Sequence, residues 1–153
     1  VRQNSRMKQT REFQAGMRKV MEEAIAFNRV LGLRVESFDP RAPKLRFDMR
    51  PELVGNPTRQ ILHGGVISAT LDVTGGYAIM LRLYEEAKEP HKTFPNMGTI
   101  DLRIDYLRQA IGPHFTGRAT VLRLGSRVAS TRMEFFGADG ELLSTGAAAY
   151  IVS

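Results

Sequence analysis

Hydrophobic positions along the chain shift from helical spacing to alternation, back to helical spacing, and then to alternation again. Met7, Phe13, Ala15, Met17, Val20, Met21, Ala24, Ile25 and Phe27 sit amid abundant charge, and from Phe13 onward their spacing predicts an amphipathic helix within residues 1–30. Gly32 ends it. Extended segments at 33–38 and 44–49 flank the turn-forming Asp39-Pro40-Arg41-Ala42-Pro43, as in a hairpin. Residues 51–60, with Gly55, Asn56 and Pro57, read as a loop. Residues 64–86 are apolar and rich in small side chains, with charge arriving only at the end, so this helix is expected in the middle of the protein. A loop with Pro90 and Pro95 is predicted over 85–97. Strand-like runs follow at 98–107, 114–124, 127–136 and 142–151, the last three separated by turns at Gly125-Ser126 and Ala138-Asp139-Gly140.

This order predicts an α+β fold, an antiparallel sheet wrapped around a long central helix, with an extra N-terminal helix. A parallel sheet does not fit, because the late strands lack crossover helices. With 153 residues and no internal repeat, one domain is expected, residues 1–30 adding a helix to a core of 31–153.

Composition removes several classes of chemistry. Hydrophobic residues at 42% and charged residues at 25% exclude a disordered or fibrous chain. There is no cysteine, hence no disulfide, thiolate metal site or cysteine nucleophile. His63, His91 and His114 form no metal-binding pattern, so neither metal nor cofactor is expected. The net charge of +6, carried mostly by arginine, suits a polyanionic ligand such as a nucleotide phosphate group, and equally suits a solvated basic surface. The basic residues are scattered without interleaved aromatics, so nucleic acid is not an expected partner. No apolar run is read as a membrane span, and residues 1–10 are polar and basic rather than signal-like; a cytoplasmic location is expected.

Two features could carry chemistry. Gly64-Gly65 at a helix start allows close approach to the backbone, where first-turn N–H groups without intrahelical acceptors can donate to a carbonyl oxygen gaining negative charge. The pair also fits a simple tight turn. Asp72 lies inside an otherwise uncharged helical segment, where burying a carboxylate costs several kcal/mol unless it is paired or hydrogen-bonded. Ser68, Ala69, Gly75 and Gly76 share its face, all small, so something comes close there: a packing neighbour or a substrate. Asp72 is either a catalytic carboxylate or one held by a nearby loop. Gly64 and Asp72 lie about 12 Å apart along a helix, too far to act on one carbonyl. Two copies meeting antiparallel across a two-fold axis would bring the helix tip of one beside Asp72 of the other, which makes a homo-oligomer the expected state. No nucleophile elbow, phosphate loop or dinucleotide fingerprint is present.

With Asn56, His63 and Thr99 added, these residues resemble the hotdog-fold thioesterase superfamily, in particular its PaaI-like branch. The combination of Asn56, Leu62-His63-Gly64-Gly65-Val66, Leu71-Asp72 and the run from Met97-Gly98-Thr99 to Tyr106-Leu107-Arg108 looks most like the YigI-type medium- and long-chain acyl-CoA thioesterases. The likeness extends from about residue 28 to the C-terminus. It implies a hotdog sheet around the 64–86 helix, active sites at a dimer interface, and an acyl-CoA substrate. Asp72 would act as general base or nucleophile, and the Gly64 N–H would polarise the thioester carbonyl. Asn56 and His63 would shape the pocket, and Thr99 would help place the attacking water. Gly65, Ser68, Gly75 and Gly76 become candidates for substrate binding. The turn Gly125-Ser126-Arg127, with Arg103 and Arg108, becomes the candidate for CoA phosphate contacts. The rivals are a hydratase or dehydratase on the same fold, which would want a catalytic histidine at a different spacing, and a non-catalytic acyl-CoA sensor, which would not need Asp72.

Overall fold

The computed structural model describes residues 2–87 and 96–153, with side chains from residue 10 onward; His91 and most of the expected 85–97 loop lie outside the described residues. The elements in chain order are α1 (Arg2–Lys19), a π-helical turn (Val20–Ala24), α2 (Ala26–Leu31), β1 (Arg34–Ser37), β2 (Lys44–Asp48), a 3-10 turn (Pro51–Leu53), β3 (Val54–Asn56), β4 (Ile61–Leu62), α3 (Gly64–Glu86), β5 (Met97–Tyr106), β6 (His114–Leu124), β7 (Val128–Gly137) and β8 (Leu142–Val152).

Six strands form an antiparallel sheet in the order β1-β2-β6-β7-β8-β5, and α3 lies along one face of it. This is the hotdog arrangement. Strand alternation places Leu45 and Phe47, Phe115 and Ala119, Ala129, Met133 and Phe135, and Tyr150 on the inner face, all buried, where they meet the buried residues of α3 such as Ile67, Leu71 and Ala78. The rings of Phe47, Phe115 and Phe135 pack with centroids 5.5–6.1 Å apart and form the aromatic centre of the core. Gly117 lets the helix settle onto β6. A Cβ at that position would lie 2.7 Å from the Thr74 hydroxyl oxygen.

Three expectations need correction. The N-terminal helix is not continuous: it loosens into a π turn and breaks at Ile25, whose ψ of 104° is extended. The buried Asn28 amide donates to the Met21 carbonyl at 3.0 Å, satisfying a group near the break, and Gly32, at φ 71°, ends α2 in the left-handed region. The segment expected to be a loop over 51–60 contains β3, which pairs with β4 in a small hairpin. Finally, α3 is long and apolar enough by length and composition to cross a bilayer, contrary to the sequence reading. Its apolar surface is instead largely covered by the sheet.

β5 closes one side of the sheet. It pairs with β8 on one edge, and nothing pairs with the other among the described residues.

Candidate active site

The tip of α3 is shaped by His63. It sits at the N-cap with extended backbone, φ −64° and ψ 132°, and its Nδ1 accepts the Gly65 N–H at 2.8 Å while its carbonyl accepts the Val66 N–H at 3.0 Å. The ring therefore carries its proton on Nε2. The 3-10 turn and β3 hold His63 in place: its N–H donates to the Leu53 carbonyl of the turn at 2.9 Å, and a Cβ on Gly55 of β3 would come within 2.7 Å of the His63 Cα. With the Gly65 and Val66 donors occupied, the N–H of Gly64 has no acceptor among the described residues. It is the open donor at the positive end of a 23-residue helix. Asn56 caps the neighbouring loop, its Oδ1 accepting from the N–H groups of Thr58 (3.1 Å) and Arg59 (3.2 Å).

Two turns further along α3, Asp72 is half-buried rather than enclosed. The α3 face bearing Asp72 lies beside β5, and the carboxylate bonds to that strand rather than to a nearby loop. The Thr99 hydroxyl of β5 donates to Asp72 Oδ1 at 2.7 Å. A bulge makes this contact possible. Thr99 pairs with Tyr150 and Asp101 with Ala149, leaving Ile100 as an extra residue on β5. Thr99 thus faces inward together with Leu102, Ile104 and Tyr106, whose register partners are Ala148, Gly146 and Ser144. The Tyr106 hydroxyl donates to the Gly64 carbonyl at 2.9 Å, and its ring lies against Gly64, where a Cβ would meet it at 3.3 Å. The two contacts show that α3 and β5 run in opposite directions along each other, Gly64 beside Tyr106 and Asp72 beside Thr99.

Beneath Asp72 lies Tyr150. Its hydroxyl donates to the Asp72 backbone carbonyl at 2.7 Å. Gly75 leaves it room, since a Cβ there would be 2.3 Å from the Tyr150 oxygen. A mid-helix glycine costs about 1 kcal/mol relative to alanine, and this approach is the reason one is kept. Burial first, and then the Asp72 charge, raise the Tyr150 pKa above the usual tyrosine range, so the hydroxyl remains a donor at neutral pH. Gly76 is also buried, near Met97 of β5, and Ser68 returns its hydroxyl to the Gly65 carbonyl at 3.1 Å. Ala69, Val73, Met80 and Leu83 form a half-buried apolar stripe along the same helix.

The structure thus gathers His63, Gly64, Gly65 and Asn56 at the tip of α3, and Asp72, Thr99, Gly75 and Gly76 further along it. Gly125, Ser126 and Arg127 lie in the β6–β7 turn, closed by a Gly125 N–H to Val128 carbonyl bond of 3.0 Å. That turn stands at the Thr99 end of the sheet, because Val128 pairs with Ile151 and Ile151 with Gly98. Arg127 makes no ion pair among the described residues, whereas Arg103 is bonded to Asp105 (3.1 Å) and Arg108 to Glu141 (3.2 Å). No group of three histidine, aspartate or glutamate side chains among the described residues could hold a metal. Sequence reading missed Tyr106 and Tyr150, whose contacts depend on cross-strand register. Gly75 was the signal that something approaches the helix.

The sequence profile of the thioesterase superfamily matches residues 59–144, a span that begins just before the α3 tip and includes Asp72 and Thr99. The chain belongs to the thioesterase superfamily. It is similar to YigI of Salmonella typhimurium, named a medium/long-chain acyl-CoA thioesterase, at 40% identity over 131 residues, covering 82% of this chain and 84% of the relative. The protein of that name from Escherichia coli is 38% identical over the same length. A Shewanella oneidensis protein related to the thioesterase superfamily has a solved structure matching with a TM-score of 0.86 at 35% identity, covering 93% of this chain and 96% of that one. As a member of this superfamily, the protein is a thioester hydrolase.

Proposed function

We propose that this thioesterase hydrolyses medium- or long-chain acyl-CoA to the free acid and CoA, at two sites shared between the copies of a homodimer or of a dimer of dimers in the cytoplasm. The observation that carries the proposal is the Asp72 carboxylate, held by the exposed Thr99 of β5 on a half-buried face of α3 and accompanied along the helix by an apolar stripe. The names of the relatives support the choice of CoA thioester and of chain length.

In the proposed reaction Asp72 either takes a proton from a water whose oxygen attacks the thioester carbonyl carbon, the proton passing on to the departing thiolate, or itself attacks that carbon to form an acyl–aspartyl anhydride that water then hydrolyses to the free acid. Negative charge that develops on the carbonyl oxygen is met by the Gly64 N–H, and the carbon–sulfur bond then breaks to release CoA. Within one chain Gly64 and Asp72 are eight residues apart on α3, about 12 Å, so the donor must come from a second copy. The free edge of β5 supports this. Antiparallel pairing of β5 with its counterpart lays the Tyr106 end of one strand beside the Thr99 end of the other, and Gly64 travels with Tyr106. Each dimer then holds two equivalent sites. Asn56 and His63 shape the donor side, and Gly65, Ser68 and Gly76 the floor, whereas Gly75, a candidate for substrate contact on sequence, is filled by the Tyr150 hydroxyl instead. The Gly125-Ser126-Arg127 turn offers an unpaired guanidinium to CoA phosphates. His63 uses Nδ1 as a helix cap, which disfavours a hydratase-type histidine role.

Asp72→Ala should lower kcat by about 10²- to 10⁴-fold while acyl-CoA still binds. Thiol release, followed with a thiol-reactive dye across a series of acyl chain lengths, measures both the loss and the chain preference. Wild-type turnover by the variant would refute the assignment.

A further inference from the structure

We propose that Tyr150 is a positioning residue for this hydrolysis, fixing the main chain of Asp72 so that the carboxylate meets Thr99 and the attacking water at the productive angle. The inference rests on the reading of Asp72 as the reacting carboxylate. Tyr150 and Thr99 are direct partners across the β8–β5 ladder and point to the same face. A single rung of the sheet therefore grips one aspartate twice, its side chain through the Thr99 hydroxyl at 2.7 Å and its carbonyl through the Tyr150 hydroxyl at 2.7 Å.

The surroundings leave this phenol little freedom. Tyr150 is 2% exposed, and a Cβ on Gly75 would lie 2.3 Å from its oxygen, 3.0 Å from its Cζ and 3.1 Å from the Thr131 hydroxyl. Its hydroxyl therefore lies directly against the α3 backbone, in the turn that follows Asp72. A buried phenol needs a partner for its polar tip wherever it lies. Satisfying that need does not require a glycine in the helix, nor the shared rung with Thr99. Asp72 stands on a half-open face with few side chains to brace it, and the contact from below supplies the constraint that its exposed side lacks. Positioning of this kind acts on the chemical step and leaves substrate binding alone.

The test is steady-state hydrolysis of acyl-CoA by full-length Tyr150→Phe, which keeps the ring and removes the hydroxyl. Expected are a kcat reduced about tenfold, an unchanged KM and an unchanged chain-length preference. Gly75→Ala, which displaces the hydroxyl, should reproduce this effect and is read by the same criterion if Tyr150→Phe does not fold. Because Thr99 and Tyr150 hold the same residue, Thr99→Val combined with Tyr150→Phe should lose less than the product of the two single losses. A kcat within twofold of wild type for folded Tyr150→Phe, whatever its thermal stability, overturns the proposal, as does a loss expressed wholly in KM. Asp72→Ala, assayed alongside, separates the two levels. If it is inactive while Tyr150→Phe is unimpaired, only the role of Tyr150 fails; if it is fully active, the reading of the site fails with it.

Discussion

Thr99 holds Asp72 through one hydrogen bond, at a position where neither residue is fully enclosed. Such a bond does little for folding and matters through orientation: it leaves one carboxylate oxygen engaged and the other free to receive a proton. Thr99→Val removes the hydroxyl with little change of shape, and kcat should fall about tenfold, equivalent to about 1.4 kcal/mol of transition-state stabilisation. Comparison of kcat and of denaturation midpoint for the two proteins checks this, the midpoint being expected to move little. At this scale the sequence was legible in part. The isolated charge among Leu71, Val73 and Ala78 singled out Asp72, and the glycines at 75 and 76 announced a close neighbour. The neighbour's identity was not legible, because Tyr150 is 78 residues away along the chain and only strand register brings it there.

Among the elements, α3 is the one whose limits can be read from composition, since small and apolar residues begin at Gly64 and charge returns at its end. The four late strands were likewise readable from alternation, within a residue or so of their observed ends. Shorter features were not. β3 and β4, at three and two residues, fall below the length at which alternation can be recognised, yet β3 helps hold His63 at the helix tip. The break at Ile25 has no glycine or proline to announce it. The cap itself gives a prediction: His63→Ala frees the Gly65 N–H and should destabilise the protein by about 0.5–2 kcal/mol, while His63→Asn, a good capping residue, should restore most of the loss. Urea denaturation of the three proteins measures it.

For the whole molecule, the geometry of a shared site can be tested by mixing chains. Gly64→Pro removes the donor N–H at the first helical position, where proline is tolerated, and His63 before it already has the extended ψ of 132° that a following proline requires. Gly64→Pro and Asp72→Ala should each be inactive alone. Unfolded together and refolded, they should regain about one quarter of wild-type activity, since half of the dimers are mixed and each carries one intact site. Recovery of none, with mixed dimers shown by mass, would mean that each chain keeps its site to itself.

The bulge at Ile100 gives β5 something like a reading frame. Thr99 and Tyr106 are seven positions apart, an odd number, and on an unbroken strand they would point to opposite faces. One surplus residue brings both phases into agreement, so that the same strand can touch the helix tip and the acid two turns beyond it. Loss of that residue would leave every strand of the sheet intact, and would turn either the threonine or the tyrosine out toward solvent.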